Sequence, residues 1–147
     1  GRKEVFGGLD EIMELCDKFD RLVPVVNFAH LHARSSGMLR EPEDFAEVFD
    51  KVSSYVGGLH YTHFSGVEHE GGNERRVTPI KKGDLRFEPM AEYLADANLN
   101  ATVISSSPLL EHDAMYMKVI YERVMTKRVS KDIKVKKGKN AKDEDED

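Results

Sequence analysis

Apolar residues recur along the chain in two alternating rhythms. Leu9, Ile12, Met13, Cys16 and Phe19 fall at helical spacing, which predicts a helix over Leu9 to Phe19. Val23 to Phe28 is a short β-branched run, as expected of a strand covered on both faces. Ser35, Ser36 and Gly37 interrupt the pattern. Pro42 then opens a helix with Phe45, Val48, Phe49 and Val52 on one stripe, and Gly57-Gly58 end it. Leu59 to Phe64 reads as a second strand. A polar stretch from Ser65 to about Gly83 reads as a long loop, and loops beyond about 12–15 residues are often functional. Met90, Tyr93, Leu94 and Ala97 mark a third helix, Ala101 to Ile104 a third strand. Ser105-Ser106-Ser107-Pro108 turn the chain into a last helix with Ala114, Met117, Tyr121 and Val124 on one face.

The resulting order, α-β-α-β-α-β-α, has the spacing of consecutive βα units with parallel strands. The fold class is therefore α/β. Two architectures fit: a small open parallel sheet, or the C-terminal part of a (β/α)8 TIM barrel. A full barrel needs roughly 250 residues, and three parallel strands alone leave open edges. The second architecture is the easier one physically.

From Lys127 the apolar pattern fades. Lys127, Arg128, Lys131, Lys134, Lys136, Lys137, Lys139 and Lys142 precede Asp143-Glu144-Asp145-Glu146-Asp147. The expected organisation is a folded part over 1–126 and a charged, disordered tail over 127–147. A sharper reading has those lysines touching nucleic-acid phosphates.

With 147 residues, one domain is the default; the net charge of −5 supplies no general attraction for nucleic acid. Cys16 is the only cysteine, so no disulfide framework exists within the chain, which fits a reducing cytoplasm. No apolar run approaches the roughly 18 residues that span a membrane, so no membrane partner is expected. Position 1 is Gly rather than Met. Processing, a tag remnant or excision from a longer protein is the expected reason.

The candidate chemistry lies at the strand ends. Parallel strands deliver their carboxyl ends to one mouth, so His30 and His63 should converge there as metal ligands. Asn27, His32, Glu68 and Glu74 are further candidates for the metal or its surroundings, and Arg34 is a phosphate-binding candidate. His60 reads as an interior histidine, and His69, His112, Arg75 and Arg76 as surface residues. No Gly-rich phosphate loop, C-x-x-C pair or nucleophile elbow occurs.

Three segments together resemble one family. Asn27-Phe28-Ala29-His30-Leu31-His32-Ala33-Arg34, His63-Phe64-Ser65-Gly66-Val67-Glu68, and Val103-Ile104-Ser105-Ser106-Ser107-Pro108 with Glu111 and Asp113-Ala114 are similar to the later strands of endonuclease IV. The likeness is to the archaeal branch of these xylose-isomerase-like barrels and covers about residues 1–125. It implies barrel strands six to eight, with the first five supplied by a missing N-terminal half or another chain. It also implies zinc-dependent cleavage of DNA at abasic sites, by a trinuclear cluster at the mouth. His30 and His63 match family ligands. Asn27 stands where the family has an aspartate, Val77 near its loop histidine and Ser106 in place of a glutamate. That set lacks the anionic groups a three-zinc cluster needs, but leaves room for one metal on His30, His63 and groups from absent strands. Two other readings follow from the same barrel: a sugar isomerase or epimerase, and a non-catalytic or regulatory relative.

Overall fold

The computed structural model describes residues 1–143, with side chains through residue 135. Its elements are α1 (Leu9–Lys18), β1 (Val26–Asn27), α2 (Phe28–Arg34), α3 (Pro42–Val52), β2 (His60–Phe64), β3 (Gly66–Glu70), β4 (Asn73–Thr78), α4 (Glu88–Ala97), β5 (Ala101–Ser105) and α5 (Glu111–Asp143). β1, β2 and β5 form a parallel sheet in that order, with Asn27 beside His63 and His63 beside Ile104. The expected α/β class and parallel three-strand sheet are therefore present. With the separate β3–β4 hairpin set aside, the sheet strands follow chain order, so the sheet winds in one direction only.

Three elements differ from the sequence expectation. The first strand is far shorter than Val23 to Phe28. Its ladder stops at Asn27, whose Oδ1 accepts the backbone N–H of His30 at 3.1 Å and caps a helix there. The segment carrying His30 and His32 is thus helical.

The expected long loop from Ser65 to Gly83 is largely an antiparallel hairpin, β3 against β4. Gly71 and Gly72, with φ of +59° and +81°, make its turn, and two consecutive positive φ values are what a tight hairpin needs. Gly66 starts the hairpin where a Cβ would lie 2.2 Å from the carbonyl oxygen of Pro79, so no larger residue fits.

The last helix does not give way to a disordered tail at Lys127 but continues to Asp143. Straight-chain lysines lose little side-chain freedom in a helix, which suits that conformation. Arg128 also pairs with Asp96 of α4. The acidic residues 144–147 lie outside the described residues.

The core sits between the sheet and α2, α3 and α4. Phe28 is fully buried and its ring lies 5.3 Å from both Phe45 and Phe49 and 6.5 Å from Phe64. Along β2 the side chains alternate: His60, Thr62 and Phe64 are buried under the helices, while Tyr61 and His63 point the other way. Val25, Tyr61 and Ile104 on that second face are 54%, 46% and 40% exposed. One face of the sheet is packed and the other is open.

Candidate functional site

The open face ends in a row made by Asn27 and His63, at the carboxyl ends of β1 and β2, with Ile104 beside them. His30 follows one helical turn beyond Asn27. Its Nε2 lies 3.3 Å from Glu74 Oε2, contributed by β4. Burial lowers the His30 pKa; Glu74 opposes it, while the charges of His63 and Arg34 lower it further. His30 and the candidate Glu74 thus meet at the mouth, with His63 near enough for its charge to act on His30.

The neighbouring positions are engaged otherwise. His63 Nδ1 and the Ser106 hydroxyl share a hydrogen bond of 2.7 Å. The Asn27 carbonyl oxygen is held by the α2 cap. Val77 faces Val67 across the hairpin, where it contributes packing and offers no lone pair. Glu68 is paired with Arg76 at 2.6 Å on the exposed side of the hairpin, as Glu70 is with Arg75, so Glu68 is directed away from the mouth.

Arg34, the phosphate candidate, is committed to the backbone. Its guanidinium donates to the carbonyls of Arg2 and Val5, and the side chain is 14% exposed. It clamps the opening segment onto α2. The Ser105 hydroxyl is buried with no hydrogen-bond partner among the described residues.

Among the described residues the mouth brings one imidazole and one carboxylate together, His30 Nε2 and Glu74 Oε2, while His63 is engaged with Ser106 and completes no close three-donor group with them. Such a pair does not fit three zinc ions. A trinuclear cluster needs several anionic ligands, and Asn27, Val77 and Ser106 supply none.

A second cluster was not expected from the sequence. His32, His69 and Asp84 bring their ligand atoms within 4.8 Å of one another. His32 Nε2 lies 3.0 Å from Asp84 Oδ1, and His69 Nε2 lies 3.0 and 3.1 Å from the two oxygens of the same carboxylate. His69 therefore belongs to a cluster and is only 14% exposed, contrary to the surface position expected of it.

His32 is fully buried, and its Nδ1 accepts the backbone N–H of Leu39 at 3.2 Å. That bond puts the ring proton on Nε2, where it is donated to Asp84. Metal-bound imidazoles do the reverse, donating from the second nitrogen. The cluster is thus a proton-bearing brace between α2, β3 and the loop before α4, and His32 is withdrawn from any metal site. Burial holds its pKa below the ordinary histidine range against the pull of Asp84.

His60 is 3% exposed and packs edge-on against Phe49 at 5.1 Å, as an interior histidine should, though on the helix-covered face. His112 is exposed.

The chain is similar to an uncharacterized protein of Methanocaldococcus jannaschii, 31% identical over 129 residues that cover 84% of this chain and 46% of that protein. It thus spans about half the length of this relative, which is about 280 residues long (129 residues being 46% of it). No protein-family model and no solved structure matches the chain. Among the described residues no helix is long and apolar enough to cross a membrane.

Proposed function

We propose that the chain is the strand-six-to-eight portion of an endonuclease IV-like TIM barrel, and that its mouth binds DNA phosphodiesters without the family's three-zinc cleavage. The sequential order of three parallel strands supports the barrel, since it winds one way. So does the length of the archaeal relative, which falls in the range of a whole (β/α)8 barrel, roughly 250 residues.

The observation that carries the functional reading is the engagement of Ser106 with His63 at 2.7 Å. A neutral hydroxyl, bonded to an imidazole, stands where the resemblance implies a carboxylate bridging metals. Asn27, spent as a helix cap, tells the same story. What remains is a polar mouth with imidazole donors and little negative charge.

A second reading is favoured by the His30–Glu74 contact at 3.3 Å. Here one divalent cation is held by those two groups and His63, acting as a Lewis acid on a phosphodiester. Sugar isomerase or epimerase chemistry has no separate support.

The test is an abasic duplex offered with zinc, manganese or magnesium. The proposal expects binding of the duplex with cleavage at background. Cleavage lost on His30→Ala would favour the one-metal reading. Neither binding nor cleavage would overturn both.

A further inference from the structure

Charge is unevenly spread along this chain. The net charge is −5, yet Lys127 to Lys142 holds eight basic residues and one acidic residue, Asp132. That whole stretch lies in α5, so its lysines stand at fixed angles. Lys127, Lys131 and Lys134 are four and three residues apart, which puts them on one face over a rise of about 10 Å. All three are exposed. Glu92 and Asp96 of α4 line a shallow groove with Lys127, Arg128 and Lys131, and Arg128 is the one that closes on Asp96. Among the described residues the three lysines have no ion-pair partner.

α5 also outruns its support. Among the described residues its last buried side chain is Ile120, and its last tie to the body is the Arg128–Asp96 pair. Every side chain from Val129 to Val135 is exposed. Unpacked helices shorter than about 12–15 residues are marginal in water, and like charges three or four apart weaken them further. An external array of negative charge would relieve that repulsion.

The other side of the helix narrows the choice of partner. Met125, Val129 and Ile133 form an exposed apolar stripe there, at a spacing of four. Glu122 lies on the same side two turns before Val129 and interrupts it. A protein groove or a lipid surface takes an amphipathic helix by its apolar face, which would leave these lysines turned to water. A phosphate backbone engages the basic face instead. Double-stranded DNA carries one charge per about 1.7 Å, dense enough to meet three lysines over that rise.

We propose that the face of α5 bearing Lys127, Lys131 and Lys134 is a second nucleic-acid surface, which holds the phosphates of double-stranded DNA without reading its sequence. α5 begins just past Ser106 and runs away from the mouth, so Lys127 lies about 24 Å along the helix from Glu111. That is beyond side-chain reach of a phosphate at His30 or His63. The surface does not rest on the reading of the mouth, and it needs neither a metal nor a complete barrel.

The experiment measures binding of the full chain to an undamaged duplex across a salt series. Lys127→Gln, Lys131→Gln and Lys134→Gln are made together, since glutamine removes the charge and keeps helix propensity. A matching triple arginine variant keeps the charge. The proposal expects the glutamine variant to bind about tenfold more weakly or worse at low salt. Its slope of log affinity against log salt should flatten by about two to three, at roughly 0.9 per phosphate contact. The arginine variant should bind like the natural protein. Equal affinity of the glutamine variant and the natural protein would overturn the proposal, as would tighter binding to phosphatidylserine vesicles than to the duplex. Duplex binding that survives the glutamine substitutions unchanged belongs to the mouth alone. Binding that they abolish belongs to α5 and leaves none to the mouth, so failure here and failure of the mouth reading are separable.

Discussion

His63 and Ser106 share a hydrogen bond of 2.7 Å across the ends of adjacent parallel strands. A strand-end serine satisfies the histidine there, and no carboxylate among the described residues bonds to the pair. The most direct chemical consequence is reversible. Asn27→Asp together with Ser106→Glu adds two carboxylates beside His30 and His63, so zinc affinity should rise at least tenfold. Equilibrium dialysis measures it; unchanged affinity would mean that the two positions do not face a common ion.

Asp84 accepts from His32 and His69 at once. Asp84→Ala leaves the Nε2–H of a fully buried imidazole without a partner, which costs about 1–3 kcal/mol. Urea denaturation checks the value. A loss near zero would mean that water replaces the carboxylate.

Burial lowers the pKa of His32 and of His60. The unfolded chain then binds more protons than the folded one between the lowered values and the ordinary one, about 6.5. Stability is full above that pH and declines as pH falls through the window. The urea midpoint should therefore drop between pH 7.5 and pH 5.5. His60→Phe, which keeps the edge-on contact with Phe49 and removes one titrating ring, should shrink the drop.

Phe28 is the hub of the aromatic core, against Phe45, Phe49 and Phe64. Phe28→Ala should cost about 3–5 kcal/mol. Because Phe28 is also the first residue of α2, the helix carrying His30 should loosen with it. Faster amide exchange across Phe28–Arg34 would report that.

Much of the framework is legible in the chain. Helical spacing marks the core stripe of α3, and the apolar runs mark β2 and β5. The place of His63 at the carboxyl end of β2 follows from the strand pattern, whereas His30 reaches the mouth from a helix that the pattern does not show. What escapes is local and polar. Asn27 ends a strand by capping a helix, a role indistinguishable in sequence from that of a ligand. The hairpin of β3 and β4 is polar on its exposed side, so its alternation is faint. Gly71-Gly72 is the signal that finds it. His69 and Asp84 lie fifteen residues apart on different elements, and only the fold brings them to His32. Arg34 follows the histidines and so resembles a phosphate ligand, but its guanidinium closes on backbone carbonyls.

The central claim, that this mouth lacks the ligands for a metal cluster, is tested by counting zinc. The natural protein, loaded with zinc, freed of excess by gel filtration and measured by inductively coupled plasma mass spectrometry, should hold no more than one ion per chain at the mouth. An Ala substitution of His30 should remove that ion. Two or more ions lost together on His30→Ala would contradict the account.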